Sequence, residues 1–241
     1  MKFALRDSAL SVVIMVVVLT GSAFAVPVVD GVFDLIEWDG YYVTDDGVGR
    51  YGYVGPGYGG QEFDVEYMGL RIVGNTVYFG LQTGFDLVNG SQGFAPGDFA
   101  IDVDGDQVYD YAINFSISGS AVTYTLYENP VWEDVVYSQH NISNPFRNVG
   151  GDIIDTFFFD TGYGSGIFPN NIDGGVSHVL EGFFDLSALD LHSGGDILLH
   201  WTMECGNDYL QVTGVVPEPT SLAMCGAGLL GLLIGRRRLR K

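Results

Sequence analysis

Basic residues are scarce in this sequence. Ten lysines and arginines stand against 30 aspartates and glutamates, a formal net charge of −20 at pH 7. The lysines are Lys2 and Lys241, one near each end. Within residues 26–215 the basic side chains, histidine aside, are Arg50, Arg71 and Arg147. Asp7 and Glu218 are the acids outside that stretch, so 28 of the 30 lie inside it. Such a segment repels phosphate backbones and anionic lipid, which excludes nucleic acid as a partner and favours divalent cations as counterions. Cysteine is also scarce. Cys205 and Cys225 are the pair, and Cys225 lies in an apolar run near the C-terminus. No disulfide can form within the central segment, and Cys205 is expected to be a buried thiol. G-x-S-x-G, H-E-x-x-H, G-x-x-x-x-G-K-[ST] and paired C-x-x-C motifs are absent, as is any regular Thr-x-Thr ladder. A non-enzymatic protein is the expectation from these absences.

The two ends carry addressing features. Lys2 and Arg6 precede an apolar run from Ser11 to Leu19, and Ala23-Phe24-Ala25 forms an A-x-A cleavage pattern. Residues 1–25 therefore read as a helical signal peptide, cut after Ala25. At the other end, in residues 216–241, Pro217-Glu218-Pro219 breaks any helix. An apolar stretch from Ser221 to Gly235 follows, then Arg236, Arg237, Arg238, Arg240 and Lys241. The stretch is expected to be a short transmembrane helix with its basic end on the cytoplasmic side. The Pro-Glu-Pro triplet, short apolar helix and arginine-rich end resemble the PEP-CTERM sorting signal. That resemblance implies export and anchoring in the inner membrane through the tail. It also implies processing by an exosortase-type membrane protease, then a place on the cell surface or in an extracellular polysaccharide matrix.

Residues 26–215 have the size of one extracytoplasmic domain. Alternation with period two dominates. Val77, Phe79 and Leu81 form one such set, and Phe99, Ile101 and Val103 another. Tyr109, Tyr111, Ile113 and Phe115 follow, then Val122, Tyr124 and Leu126, and finally Ile197, Leu199, Trp201 and Met203. These are half-buried strands, separated by breaks such as Gly74-Asn75 and Asp104-Gly105-Asp106. Amphipathic helical periodicity is lacking, and Val32–Trp38 and Leu186–Leu191 suit single helical turns. The fold class is all-β, an antiparallel β-sandwich of jelly-roll type. Val29-Asp30-Gly31 followed by Glu37-Trp38 resembles the opening of family-9 carbohydrate-binding modules and DOMON-like sandwiches. The match falls on a structural corner, where Trp38 is expected to be buried, and it transfers no ligand-binding residue.

The best local candidate for chemistry is the run holding Asp102, Asp104, Asp106 and Asp110. Oxygen ligands two residues apart can converge on Ca2+ where the backbone turns, although the spacing is not that of an EF-hand. A β-hairpin turn with acids at its tip fits the same residues. Asp45, Asp46 or Asp30 could complete a metal site from elsewhere. Tyr51, Tyr53 and Tyr58 in the Gly/Tyr-rich stretch, and Trp132 in a polar one, are candidates for stacking against sugar rings. His200, Thr202 and Glu204 share a strand face, yet with His140, His178 and His192 they show no zinc-ligand spacing and are expected to be surface polar residues. The resulting expectation is a matrix protein that binds extracellular polysaccharide with calcium support. A structural or adhesive protein with protein partners, and a glycan hydrolase, are the alternatives.

Overall fold

The computed structural model describes residues 25–45, 47–191 and 195–216. Residues 1–24 of the signal peptide, Asp46, His192, Pro217, Glu218, Pro219, the apolar tail and Arg236, Arg237 and Arg238 lie outside the described residues. Among those described, no helix is long and apolar enough to cross a membrane.

The chain forms β1 (Tyr42–Thr44), β2 (Val65–Val73), β3 (Thr76–Thr83), β4 (Phe99–Asp102), β5 (Tyr111–Ser118) and β6 (Ala121–Glu128). It continues with β7 (Trp132–Glu133), β8 (Arg147–Asn148), β9 (Asp152–Phe159), β10 (Tyr163–Gly166), β11 (Ser177–Asp185), β12 (Asp196–Thr202) and β13 (Tyr209–Val215). One sheet has the order β1-β2-β3-β11-β10, and the second β13-β12-β4-β5-β6-β9. β7 and β8 pair separately, and all pairings are antiparallel. The two large sheets enclose one core that includes Met68, Leu70, Phe79, Phe99, Tyr124, Leu199 and Trp201. This is the antiparallel sandwich that the alternating pattern predicts.

The alternation is clearest in β6, where Val122, Tyr124 and Leu126 are buried and their neighbours half-exposed. It fails where the outer face of a sheet is also covered. In β2 every residue from Val65 to Ile72 is buried. The N-terminal segment lies on that face, with the Trp38 indole seated where a Cβ on Gly69 or Gly80 would be 2.4 or 2.8 Å away. Trp38 stacks on Phe33 at 5.2 Å and is 1 % exposed, the buried corner expected of it. The helical turn there is real, since Glu37 N and Trp38 N both donate to Asp34 O. Leu186–Ala188 forms the other short turn, capped by the Asp185 carboxylate. Cys205 is fully buried, and burial pushes its thiol up to about 11.

Candidate functional site

The acidic run becomes a tight loop between β4 and β5. Asp102 ends β4 and is buried, with Oδ1 accepting from Asp104 N at 3.1 Å and Gly105 N at 2.7 Å. Its Oδ2 accepts from Gln107 N at 3.0 Å. Asp104 Oδ1 takes Asp106 N, and Asp106 Oδ1 takes Val108 N. Each carboxylate thus closes a turn onto a backbone amide two or three residues ahead, the arrangement that favours aspartate in such loops. Gly105 at φ 78° and Gln107 at φ 68° complete the reversal. Carboxylate oxygens of Asp102, Asp104 and Asp106 all lie within 4.8 Å of one another. Asp110 does not join that group. Its Oδ2 accepts from Val103 N across the loop, and its carboxyl is raised, first by burial and then by repulsion from the other three aspartates.

The same loop forms one wall of a groove. Gln107, Val108 and Tyr109 meet Trp132, Asn141, Tyr209 and Gln211 around an open volume of about 760 Å³ on the outer face of the six-stranded sheet. Its polar parts are held in place. Trp132 Nε1 points to Tyr109 O at 3.4 Å, and Gln211 Nε2 donates to the Tyr109 hydroxyl at 2.9 Å. A neighbouring hollow of about 440 Å³ shares Val108 and Tyr109 and is flanked by Asp104, Asp110, Glu128 and Asp190.

Beneath the groove lies His200, which is fully buried, contrary to the surface position expected of it. The segment Ser143–Phe146 covers this end of β12, and His200 Nε2 donates to Ser143 O at 3.0 Å and Pro145 O at 3.1 Å. Tyr109 and Tyr209 flank the ring at 5.4 and 5.8 Å between centroids. Burial lowers His200 to about 4, so the imidazole is neutral and packs behind the groove residues Tyr109 and Tyr209. Thr202 is buried too, with its hydroxyl on Asp208 O.

The aromatic candidates separate. Trp132 lines the groove, whereas Tyr51, Tyr53 and Tyr58 do not. Tyr53 and Tyr58 pack edge-on at 5.2 Å within the Gly/Tyr-rich loop, and Tyr51 is exposed beneath the Arg50 guanidinium. That loop is tied to the turn before β13, where Gly57 N donates to Asn207 O at 2.6 Å. Tyr109, Tyr209 and Gln211 are groove residues that sequence reasoning missed as ligand contacts. Tyr109 reads as an inward strand residue, and nothing in the spacing of Tyr209 and Gln211 relates them to Trp132.

Asp45, the residue offered to complete the loop site, stands elsewhere. Its carboxylate, with those of Asp64 and Asp208, forms a second group of oxygens within 4.8 Å of one another. The two groups lie toward opposite ends of β12, where Leu198 is opposite Asp102 and Thr202 opposite Tyr209. Asp30 belongs to neither group, and its carboxylate Oδ1 accepts from Val32 N at 3.0 Å.

Residues 215–238 match the family model for the PEP-CTERM protein-sorting motif. No curated protein and no solved structure matches the chain.

Proposed function

We propose, for a chain that carries a PEP-CTERM sorting motif and is thereby exported, surface-sorted and processed by an exosortase, that its β-sandwich is a non-enzymatic glycan-binding domain of an extracellular polysaccharide matrix. The groove carries the proposal. Trp132, Tyr109 and Tyr209 offer apolar ring faces, and Gln107, Asn141 and Gln211 offer amide donors and acceptors around them. Sugars present alternating apolar C–H faces and hydroxyl rims, and a shallow cleft of aromatics bordered by amides complements both. A volume of about 760 Å³ suits a few sugar rings rather than a long buried chain. A binding role fits better than hydrolysis, because Asp134 is the lone carboxylate among the residues lining this groove and glycoside hydrolysis needs a facing pair.

Calcium acts here as support. An ion held by Asp102, Asp104 and Asp106 neutralises part of the loop charge and stiffens the wall that carries Gln107, Val108 and Tyr109. The test is binding of the purified full chain to a panel of neutral and acidic polysaccharides, with calcium and with chelator. Selective binding that weakens in chelator is the expected result. Failure to bind any member in either condition overturns glycan recognition in favour of a structural or adhesive role, and release of reducing ends overturns the non-enzymatic reading.

A further inference from the structure

Three carboxylates from distant parts of the chain meet at one end of the sandwich. Asp45 follows β1, Asp64 immediately precedes β2, and Asp208 immediately precedes β13. The first two belong to one sheet and the third to the other. Asp208 is 1 % exposed, and its oxygens accept from Val65 N at 2.5 Å and Tyr209 N at 2.7 Å. Asp45 is half-buried, with Oδ1 on Gly47 N at 2.7 Å.

Asp64 differs from both. It is fully buried, and neither Oδ1 nor Oδ2 has a hydrogen-bond partner. The neighbouring polar groups are committed to other contacts. Thr83 Oγ1 and Gly84 N go to the backbone oxygen of Asp64, and Gln61, Gln82 and Ser177 go to Glu66. Buried polar groups in folded proteins are almost always satisfied, and a carboxylate with two bare oxygens needs a proton or a cation. No influence on Asp64 lowers its carboxyl. Burial, then Asp45, Glu66 and Asp173, all raise it, to about 8. A neutral acid would resolve the charge but would still leave an acceptor oxygen bare. A hard cation satisfies both oxygens and the facing carboxylates together.

We propose that Asp45, Asp64 and Asp208 bind a second calcium ion, separate from the Asp102–Asp106 loop, that clamps the two sheets together and seats the Gly/Tyr-rich loop. Oxygens within 4.8 Å of one another fit around one ion with Ca–O distances of about 2.4 Å, and an all-oxygen, carboxylate-rich set selects Ca2+ over softer metals. Magnesium suits the site less well, because it retains several waters and demands near-ideal octahedral geometry. The loop follows from Asp208. Pro56 forms a β-bridge with it, and Asn207 holds both Gly57 N and, through Nδ2, Tyr58 O. A Cβ on Gly57 would come within 2.6 Å of Asn207 Cα, so the loop approaches this turn as closely as backbone allows. The site is independent of the glycan groove and stands or falls without it.

The experiment uses the chelator-stripped full chain, with calcium uptake followed by calorimetry and unfolding followed by circular dichroism. The double variant D104N/D106N retains calcium binding, and calcium still raises its unfolding midpoint. Adding D64N to that double variant abolishes the rise. D45N alters a half-buried residue and keeps an acceptor oxygen for Gly47 N, and in the same double-variant background its rise requires tenfold or more additional calcium. A D64N protein too unstable to purify leaves D45N as the deciding variant. Parent-like calcium affinity and midpoint shift in D45N overturn the proposal, and so does a D104N/D106N protein that no longer binds calcium.

Discussion

The indole Nε1 of Trp38 donates to Glu181 Oε1 across 3.4 Å, though the two residues are 143 positions apart. Glu181 Oε2 accepts from Gly31 N at 3.1 Å and Asp30 N at 3.3 Å. One buried carboxyl on β11 therefore holds both halves of the Asp-Gly and Glu-Trp opening against the outer face of the first sheet. The opening is a clasp, which explains why its residues lie away from the groove.

Glu181→Ala leaves the indole N–H and two backbone amides without an acceptor. Each such loss costs about 1–3 kcal/mol when the group stays buried, and partial relaxation brings the expected total to roughly 2–4 kcal/mol. The unfolding midpoint should fall by about 5–15 °C at this chain length. Glu181→Gln keeps one acceptor oxygen, enough for either the indole or the backbone amides, and turns its NH2 toward the other donors, so it should cost less than Glu181→Ala without being neutral. Thermal unfolding of the two variants against the parent checks the order.

Gly69→Ala should be destabilising even though it adds one methyl group. The new Cβ would lie 2.4 Å from the six-membered ring of Trp38. The indole is fixed by Phe33 and Glu181 and cannot retreat, so overpacking of about 1–3 kcal/mol is expected. A Trp38→Leu change in the same chain should recover part of that loss, read as a positive coupling in a double-mutant cycle.

Stability should decline from about pH 6 to pH 8.5 in the presence of chelator. Burial raises Glu181 to about 8 and Asp98 to about 7 in the folded protein. Between the ordinary carboxylate range and those values the folded state holds protons that the unfolded chain releases, so stability is lost as pH rises. His200 acts with the opposite sign. Its folded value of about 4 lies below the ordinary 6.5, so its contribution is lost as pH falls from about 6.5 toward 4. Urea unfolding across this range tests the slope, and Glu181→Gln should flatten its upper part. Histidine NMR should show the His200 ring still neutral at pH 5.

The sandwich was legible in the sequence where one face of a strand meets solvent, as in β6. It was only partly legible where both faces are covered. β2, under Trp38, shows no clean alternation, and in β12 the alternating strand was read correctly while the cover of Ser143–Phe146 over its polar positions His200 and Thr202 was not. The sorting motif was legible because its three parts are contiguous. The Asp102–Asp106 turn was legible for the same reason, since its hydrogen bonds span two to five residues. The Asp45, Asp64 and Asp208 group has no local spacing at all. It exists because the ends of β1, β2 and β13 converge, and only the fold shows that. The tyrosines of the Gly/Tyr-rich loop were grouped with Trp132 by composition, yet the loop is anchored at Asn207 and Asp208 while Trp132 lies beside Tyr109.

Trp132→Ala and Tyr209→Ala should each weaken glycan binding by about tenfold or more, the loss expected on removing a stacking face near the centre of a site. Tyr51→Ala and Tyr58→Ala should leave affinity within about twofold, because neither residue lines the groove. Affinity electrophoresis with the best polysaccharide of the panel compares all four. Equal losses in the two pairs would move the site to the Gly/Tyr-rich loop.

The chain has three tryptophans. Trp38 and Trp201 are buried, while Trp132 is accessible at the groove. Collisional quenching of tryptophan emission in the full chain therefore reports mainly on Trp132. Titration with oligosaccharides of the best-binding polysaccharide, at saturating calcium, should protect this emission from acrylamide in a saturable way, and Trp132→Phe should abolish the protected component. Saturable binding with Trp132 as open to quencher as before would contradict the claim that this groove holds the glycan.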